Sequence, residues 1–128
     1  NAFLAKEVHI VGRRRWNRRG AMVTDRYQHI RHHDSVDELA SWCEENNLPI
    51  IGLDNIPGSV PIEQFDLPEA CVLFFGQEGG GLSQEAQRAC TATVSIAQYG
   101  STRSINVGAA AAIAMHAWIR RHRFLQNP

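Results

Sequence analysis

The stretch Gly76-Gln77-Glu78-Gly79-Gly80-Gly81-Leu82-Ser83 is the most informative part of this chain, because an apolar run precedes it and a helix start ends it. Residues 71–75 are all apolar, which is typical of a strand buried on both faces of a sheet. Ser83 has the position of a helix N-cap, and we expect a short helix from there to residue 89. The glycines allow backbone N–H groups to approach a ligand closely. The stretch is therefore either a tight turn or a loop that holds a ligand.

Glu78 is the carboxylate within this glycine-rich loop. A carboxylate flanked by glycines suits a donor-rich ligand or a neighbouring arginine better than it suits packing. The loop is not a P-loop, because no Gly-Lys-Ser/Thr follows it, and its glycines do not form the GxGxxG dinucleotide fingerprint.

A second polar loop, residues 96–106, runs into the small-residue segment 107–112. Backbone amides at a helix start lack intrahelical partners and can face a ligand. Ser104 and Asn106 either cap this helix or contact that ligand, and the residues alone do not separate the two roles. The alanines at 109–112 are expected to pack closely against a sheet.

Outward from these loops, short apolar runs alternate with helical patterns. Strands are expected at residues 8–11, 50–53 and 93–96 and, more weakly, at 27–31, with helices at 35–46 and 105–124 and a loop at 55–65. Ser35 and Glu38 form a capping box at the start of the first of these helices. The alternation predicts an α/β domain with a mostly parallel sheet flanked by helices, whose ligands bind at the carboxyl ends of the strands.

The composition fits a single domain of 128 residues with no net charge. Its three widely spaced cysteines form neither a disulfide framework nor a zinc site, which favours a reducing cytoplasm. No apolar run approaches the ~20 residues that cross a bilayer, so no membrane partner is expected. Residues 2–6 resemble the end of a helix whose start is missing, and we expect further sequence upstream.

Two basic clusters suit a polyanion that touches one face of the molecule. Trp16 stands among the first five arginines, a mixture that is either a solvated loop or a surface for phosphates and stacked bases; the clusters are Arg13, Arg14, Arg15, Arg18 and Arg19, and Arg120, Arg121 and Arg123. His32 and His33 are expected to be an exposed pair, because no third ligand stands at a spacing suited to a metal. No metal is predicted.

The two loops together resemble a known family. Residues 76–83 resemble the second motif of the SpoU (TrmH-like) class of SPOUT RNA methyltransferases, and residues 95–107 resemble its third motif, with matching internal spacings and separation. The resemblance covers essentially the whole chain, 1–128, as a SpoU-type catalytic domain that lacks its N-terminal part. The family's first motif, an asparagine and an arginine before the strand at 8–11, cannot be placed in these residues. Either it precedes Asn1, which the pattern at residues 2–6 favours, or the protein has lost it and is inactive.

The resemblance implies a deep C-terminal trefoil knot, a homodimer with the knot helices at its interface, and S-adenosylmethionine as the methyl donor. It implies methyl transfer to a ribose 2′-OH in tRNA or rRNA, with catalytic roles for Glu78, Ser104 and Asn106. The cofactor would be held largely through backbone groups at Leu53, Gly76, Ile96, Gln98 and Ile105. RNA would be gripped by Arg13, Arg14, Arg15, Trp16, Arg18 and Arg19.

Two other functions stay open on the residues. One is a non-catalytic RNA-binding module of the same fold. The other is a nucleotide-binding α/β enzyme that uses neither S-adenosylmethionine nor RNA.

Overall fold

The structure, a computed structural model, describes residues 2–12, 29–77, 80–100 and 105–124. Its elements are β1 (Glu7–Val11), β2 (His29–His33), α1 (Val36–Glu45), β3 (Ile50–Leu53), β4 (Val60–Pro61), a 3-10 turn (Ile62–Gln64), β5 (Val72–Phe75), α2 (Gln84–Ala89), β6 (Ala92–Ser95) and α3 (Val107–His122). The predicted strands and helices are confirmed within a few residues at their ends. The predicted loop at 55–65 differs, because it contains the short β4 and the 3-10 turn.

All paired strands in the described part of the chain run parallel. Strands β1 and β2 form a two-stranded sheet, and the other four strands form a sheet in the order β4-β6-β3-β5. In the four-stranded sheet the neighbouring strands are not consecutive in the chain, so they are joined by crossover connections. This arrangement confirms the predicted parallel α/β architecture.

Strand β3 is the buried centre of the larger sheet, since all four of its residues are buried. Both faces of the apolar strand β5 are covered, as predicted, because Val72 and Phe74 pack against one hydrophobic cluster and Leu73 and Phe75 pack against another. Every residue of β5 nevertheless stays partly exposed. The reason is its position: β5 pairs with β3 on one side and is the last strand of this sheet.

The two faces of β3 contribute side chains to two different hydrophobic clusters, because successive side chains of a strand point to opposite faces. Ile51 and Leu53 pack with Val94 of β6 and with Ala114 of α3. Ile50 faces the other way and packs with Leu39 and Cys43 of α1. Helices therefore cover both faces of the sheet.

The helix starts follow the predicted caps. Ser35 Oγ accepts from the Glu38 N–H at 3.2 Å, and Ser83 Oγ accepts from the Ala86 N–H at 3.1 Å. The capping box is shifted by one residue, because Glu38 Oε2 accepts from the N–H of Asp34 rather than from that of Ser35.

The alanine run of α3 is not where the helix meets the sheet. Ala109 is exposed, whereas Ala114, Ala117 and Trp118, one to two turns later, pack against the sheet. The prediction of close packing at 109–112 is therefore wrong in position. Contact with the sheet falls in the second half of the helix.

The end of α3 is tied to the loop that precedes β5. Arg121 pairs with Asp66 at 2.6 Å, and Arg123 lies 3.8 Å from Glu69. The Trp118 indole donates to the Glu69 carbonyl at 2.9 Å. Part of the second basic cluster thus neutralises carboxylates of its own chain. Across the ranges given above, no helix has the length and apolar character needed to cross a membrane.

Candidate functional site

Three strand ends meet at one edge of the larger sheet. Leu53, the last residue of β3, is in register with Phe75 of β5 and with Val94 of β6. Gly76 therefore lies one residue beyond the level of Leu53, and Ile96 lies two residues beyond it. The structure brings Leu53, Gly76 and Ile96 to the carboxyl edge, as the sequence predicted.

The glycine-rich loop folds back on itself directly after β5. The Gly81 N–H donates to the Gln77 carbonyl at 2.9 Å, and the Gln77 N–H donates to the Gly81 carbonyl at 3.3 Å. These two bonds form a closed neck below the tip of the loop. The tip itself contains Glu78 and Gly79, which lie outside the described residues.

Two glycines are required by the geometry of this neck. A Cβ on Gly76 would overlap the backbone of Gly81 and Leu82. Gly81 has φ +66°, in the left-handed region that favours glycine. Gly80, in contrast, has open space where a side chain would stand. The neck is fixed by its backbone, and room remains beside it.

Asp54 is a residue of this edge that the sequence reasoning missed. It is the first residue after β3, and its Oδ2 accepts from the Leu82 N–H at 3.0 Å. A polar residue directly after a buried parallel strand is the signal that could have found it. Its partner in the loop could be known only from the strand register.

Leu82 anchors the far end of the loop in the core, where it is buried. It packs above Gly52 of β3, because a Cβ on Gly52 would lie 2.8 Å from Leu82 Cδ1 and 2.8 Å from Cys90 Sγ. Because Gly52 has no side chain, β3 leaves space for Leu82 of the loop to pack against it.

Asn106 is the N-cap of α3, and its side-chain oxygen accepts from the Ala109 N–H at 3.2 Å. Ile105 precedes it and is partly buried, as is Gln98 in the loop after β6. The structure thus assigns Asn106 the capping role; a further role toward a ligand stays a prediction. Ser104 lies outside the described residues, as do the arginines and Trp16 of the first basic cluster.

A cavity of about 1180 Å³ extends between the two sheets and reaches the glycine-rich loop. Its lining includes Gly76, Gln77 and Ser83 of that loop, Ala111 and Met115 of α3, and Trp42 of α1. Leu53, Ile96, Gln98 and Ile105 do not line it. Of the predicted cofactor-binding residues, Gly76 therefore lines this cavity and the other four do not.

Burial disfavours the thiolate form of all three cysteines. All three are free thiols, and burial raises the pKa of Cys43, of Cys71 and of Cys90. For Cys90, a hydrogen bond with the Gly52 backbone offsets part of this effect on the pKa. A raised pKa favours the thiol, which is a weaker nucleophile than the thiolate. Within the described ranges, no group of three His, Cys, Asp or Glu side chains is placed to hold a metal.

The match to a family model decides the family. The model of the SpoU rRNA methylase family matches residues 1–116. This chain belongs to the SpoU rRNA methylase family. The predicted family is therefore confirmed, and the glycine-rich loop and the loop before α3 both fall within the matched range.

Relatives within and around the SpoU family are longer than this chain. A tRNA (guanosine(18)-2′-O)-methyltransferase of Borreliella burgdorferi is 33% identical over 89 residues, 70% of this chain and 39% of that protein. An uncharacterised tRNA/rRNA methyltransferase of Mycobacterium sp. (strain KMS) is 34% identical over 85 residues, 66% of this chain and 26% of that protein. The aligned regions thus span between about a quarter and two fifths of these curated relatives.

Solved SpoU structures share the fold. The SpoU methyltransferase AviRb from Streptomyces viridochromogenes, solved in complex with the cofactor AdoMet, matches with a TM-score of 0.85 at 24% identity, over 94% of this chain and 49% of that chain. An AdoMet-bound rRNA methyltransferase from Sinorhizobium meliloti matches with a TM-score of 0.83 at 23% identity, over 94% and 48% of the two chains. At these identities the likeness supports the fold alone.

Proposed function

We propose that this chain is the catalytic domain of an RNA methyltransferase that uses S-adenosylmethionine to methylate a ribose 2′-OH in tRNA or rRNA. The observation that carries the proposal is the convergence of Leu53, Gly76 and Ile96 at one sheet edge, beside a glycine-rich loop with a closed neck. Membership of the SpoU family supports this reading of the edge.

The residues of the edge fit S-adenosylmethionine. Gly80 offers main chain with open space where a side chain would stand, and the partly buried Ile96 offers apolar surface at the same edge. A ligand with an adenine ring and polar ends suits such a surface of apolar contacts and backbone donors. Leu53, Gly76, Ile96, Gln98 and Ile105 would hold the cofactor. When bound, S-adenosylmethionine supplies an electrophilic methyl group on a sulfonium sulfur.

Polar residues of this chain would bind and orient the ribose of the RNA substrate. Ser104 and Asn106, at the start of α3, would fix the cofactor and the ribose hydroxyl in a reactive orientation. Glu78, at the tip of the glycine-rich loop, would orient a substrate group or a neighbouring arginine. Arg13, Arg14, Arg15, Arg18 and Arg19 would contact RNA phosphates, and Trp16 would stack on a base.

The assembly belongs to the same proposal. We expect a C-terminal trefoil knot and a homodimer in which α3 forms the interface. Ile113 supports this choice of interface, because it lies on α3 with 42% of its surface exposed. The three free thiols fit a protein of the reducing cytoplasm.

The test is methyl transfer by the full-length protein, including the sequence expected upstream of Asn1. The protein would be incubated with methyl-labelled S-adenosylmethionine and, separately, with tRNA and with ribosomal RNA, and the RNA would be digested to nucleosides. We expect label in a 2′-O-methylated nucleoside from one of the two RNAs. Binding of RNA with no transfer of label would contradict the enzyme and leave the non-catalytic RNA-binding module.

A further inference from the structure

Asp54 links the ends of three neighbouring strands. Its own N–H donates to the Val94 carbonyl at 3.0 Å, which fixes the main chain after β3 against β6. Its Oδ2 accepts from the Leu82 N–H at 3.0 Å, which fixes the far end of the loop that leaves β5. Asp54 therefore fixes the loop that leaves β5 to the ends of β3 and β6 through two hydrogen bonds.

The carboxylate also closes against the bare Cα of Gly81. A Cβ on Gly81 would lie 2.5 Å from Asp54 Oδ2, so only glycine fits opposite this side chain. On the other side of the loop, Gly81 exchanges both backbone hydrogen bonds with Gln77. The loop is thus held at its neck by its own backbone, and it is held against the sheet by Asp54.

A hydrogen bond to a carboxylate is stronger than one between neutral groups, and a loop that is already ordered does not have to be ordered when the ligand binds. We propose that Asp54 is a positioning residue for S-adenosylmethionine: its carboxylate holds the glycine-rich loop where the loop's backbone can receive the cofactor. This proposal rests on the proposed function of the edge. Asp54 acts through the Leu82 N–H and does not touch the reacting atoms.

This role predicts a particular kinetic pattern. Loss of the contact lets the loop move, which raises the Kd and the KM for S-adenosylmethionine. Saturating cofactor restores the loop, so kcat falls much less, and the KM for RNA stays near its original value. A residue that only stabilises the fold would instead lower the unfolding temperature and the amount of active protein, without a selective effect on one KM.

The test compares three variants of the full chain. Asp54→Ala removes the acceptor, and Asp54→Asn keeps an oxygen acceptor for the Leu82 N–H but removes the charge. Glu63→Ala is the matched control, because it removes an exposed carboxylate on the 3-10 turn, away from the loop. Cofactor binding is measured by calorimetry, and the amide signal of Leu82 is followed by NMR without cofactor.

For Asp54→Ala we expect about a tenfold or larger rise in the Kd for S-adenosylmethionine and an upfield shift of the Leu82 amide proton. Asp54→Asn should bind with an affinity between those of Asp54→Ala and the wild type, because its neutral oxygen still accepts from the Leu82 N–H, and Glu63→Ala should bind like the wild type. Equal affinity of the wild type and Asp54→Ala would overturn the proposal. The proposal would also be overturned if Asp54→Asn folds, keeps the wild-type chemical shift of the Leu82 amide proton and yet binds S-adenosylmethionine tenfold more weakly.

If Asp54→Ala does not fold, Asp54→Asn keeps the proposal falsifiable, because much weaker cofactor binding by a variant whose Leu82 N–H is still hydrogen-bonded would overturn it. Failure of the proposed function gives a different result. In that case the wild type itself does not bind S-adenosylmethionine, while the Leu82 amide still responds to Asp54→Ala.

Discussion

At the scale of single residues, Gly52 determines whether the glycine-rich loop can insert into the core. A methyl group there would lie 2.8 Å from both Leu82 Cδ1 and Cys90 Sγ, which is closer than Cβ atoms approach in proteins. We expect Gly52→Ala to lower the free energy of unfolding by about 1–3 kcal/mol, the usual cost of overpacking a core.

Urea denaturation checks this prediction. Gly100→Ala is the control, because a Cβ on Gly100 would have no neighbour within 4 Å, and its stability should match that of the wild type. Equal midpoints for Gly52→Ala and the wild type would show that Leu82 and Cys90 move aside at little cost.

Asn106 combines a structural role with a proposed role in catalysis, and substitution can separate them. Its oxygen caps α3, and aspartate caps a helix equally well. We expect Asn106→Asp to unfold within about 0.5 kcal/mol of the wild type. Methyl transfer should nevertheless fall by about a hundredfold or more, because the amide donor is lost from the site. Full activity of folded Asn106→Asp would limit Asn106 to capping.

The positions of some site residues could be predicted from the sequence, and those of others could not. Leu53, Gly76 and Ile96 could be placed at one edge because each follows an apolar run, and parallel strands end together. Asp54 could not be paired with Leu82, since 28 positions separate them and only the register of β3 with β5 brings them together. Hydrogen bonds donated by backbone N–H groups cannot be predicted from the pattern of side chains along the sequence.

At the scale of elements, β1 and β2 carry a chain of hydrogen-bonded titratable groups. His9 Nε2 lies 2.9 Å from Glu7 Oε2, and His9 Nδ1 lies 2.8 Å from His33 Nε2. The Arg31 guanidinium donates to the same Glu7 oxygen at 3.0 Å, and Trp42 of α1 covers His9 with ring centroids 4.5 Å apart. These contacts join the small sheet to α1.

This chain of contacts corrects the prediction of an exposed histidine pair. His33 is buried, with 8% of its surface exposed, whereas His32 is exposed. The two residues are adjacent on β2 and therefore point to opposite faces. Two neighbouring histidines in a strand cannot share one environment, and the sequence does not tell which of them faces the helix.

The titration of these groups predicts how stability changes with pH. Burial lowers the pKa of His33, and the nearby His9, His32 and Arg31 lower it further, against a smaller opposing effect of Glu38. The pKa of Glu7 is also lowered: desolvation by burial raises it, but the hydrogen bonds from Arg31 and His9 together outweigh that effect.

Both lowered pKa values act in the same direction. The unfolded chain binds more protons than the folded protein below pH 6.5 at His33 and below pH 4.5 at Glu7. The free energy of unfolding should therefore rise with pH up to the ordinary histidine pKa, and fall as acid reaches the two lowered values. Urea denaturation between about pH 5 and pH 7.5 checks this. His33→Gln should show a weaker slope, and an unchanged slope would contradict the role of His33.

At the scale of the whole molecule, α3 is buried on one side only. Ala114 and Trp118 pack toward the sheet, while Ile113 is exposed on the same helix. We expect Ile113→Glu to convert a dimer into a monomer, because a charge would be placed in an apolar interface. Light scattering after gel filtration measures the mass.

Val60→Glu is the control for this substitution, since Val60 is also an exposed large apolar residue but lies on β4. It should leave the dimer intact. A wild type that is monomeric, or an Ile113→Glu variant that stays dimeric, would contradict the proposed interface.

The architecture of the whole molecule was only partly predictable. Alternation of strands and helices predicts a parallel sheet, but it does not predict the order β4-β6-β3-β5, because the order depends on which crossovers bury the apolar faces best. The half-buried state of β5 follows from that order. The trefoil knot comes from the resemblance to the SpoU family and stays a prediction.

Calorimetric titration of the full-length protein with S-adenosylmethionine shows directly whether the strand ends bind the cofactor. If the edge formed by the ends of β3, β5 and β6 is the cofactor site, the wild type binds saturably, near one molecule per subunit, and Asn106→Ala binds more weakly. No heat of binding with the wild type, or equal binding by the folded variant, would contradict the assignment of that edge.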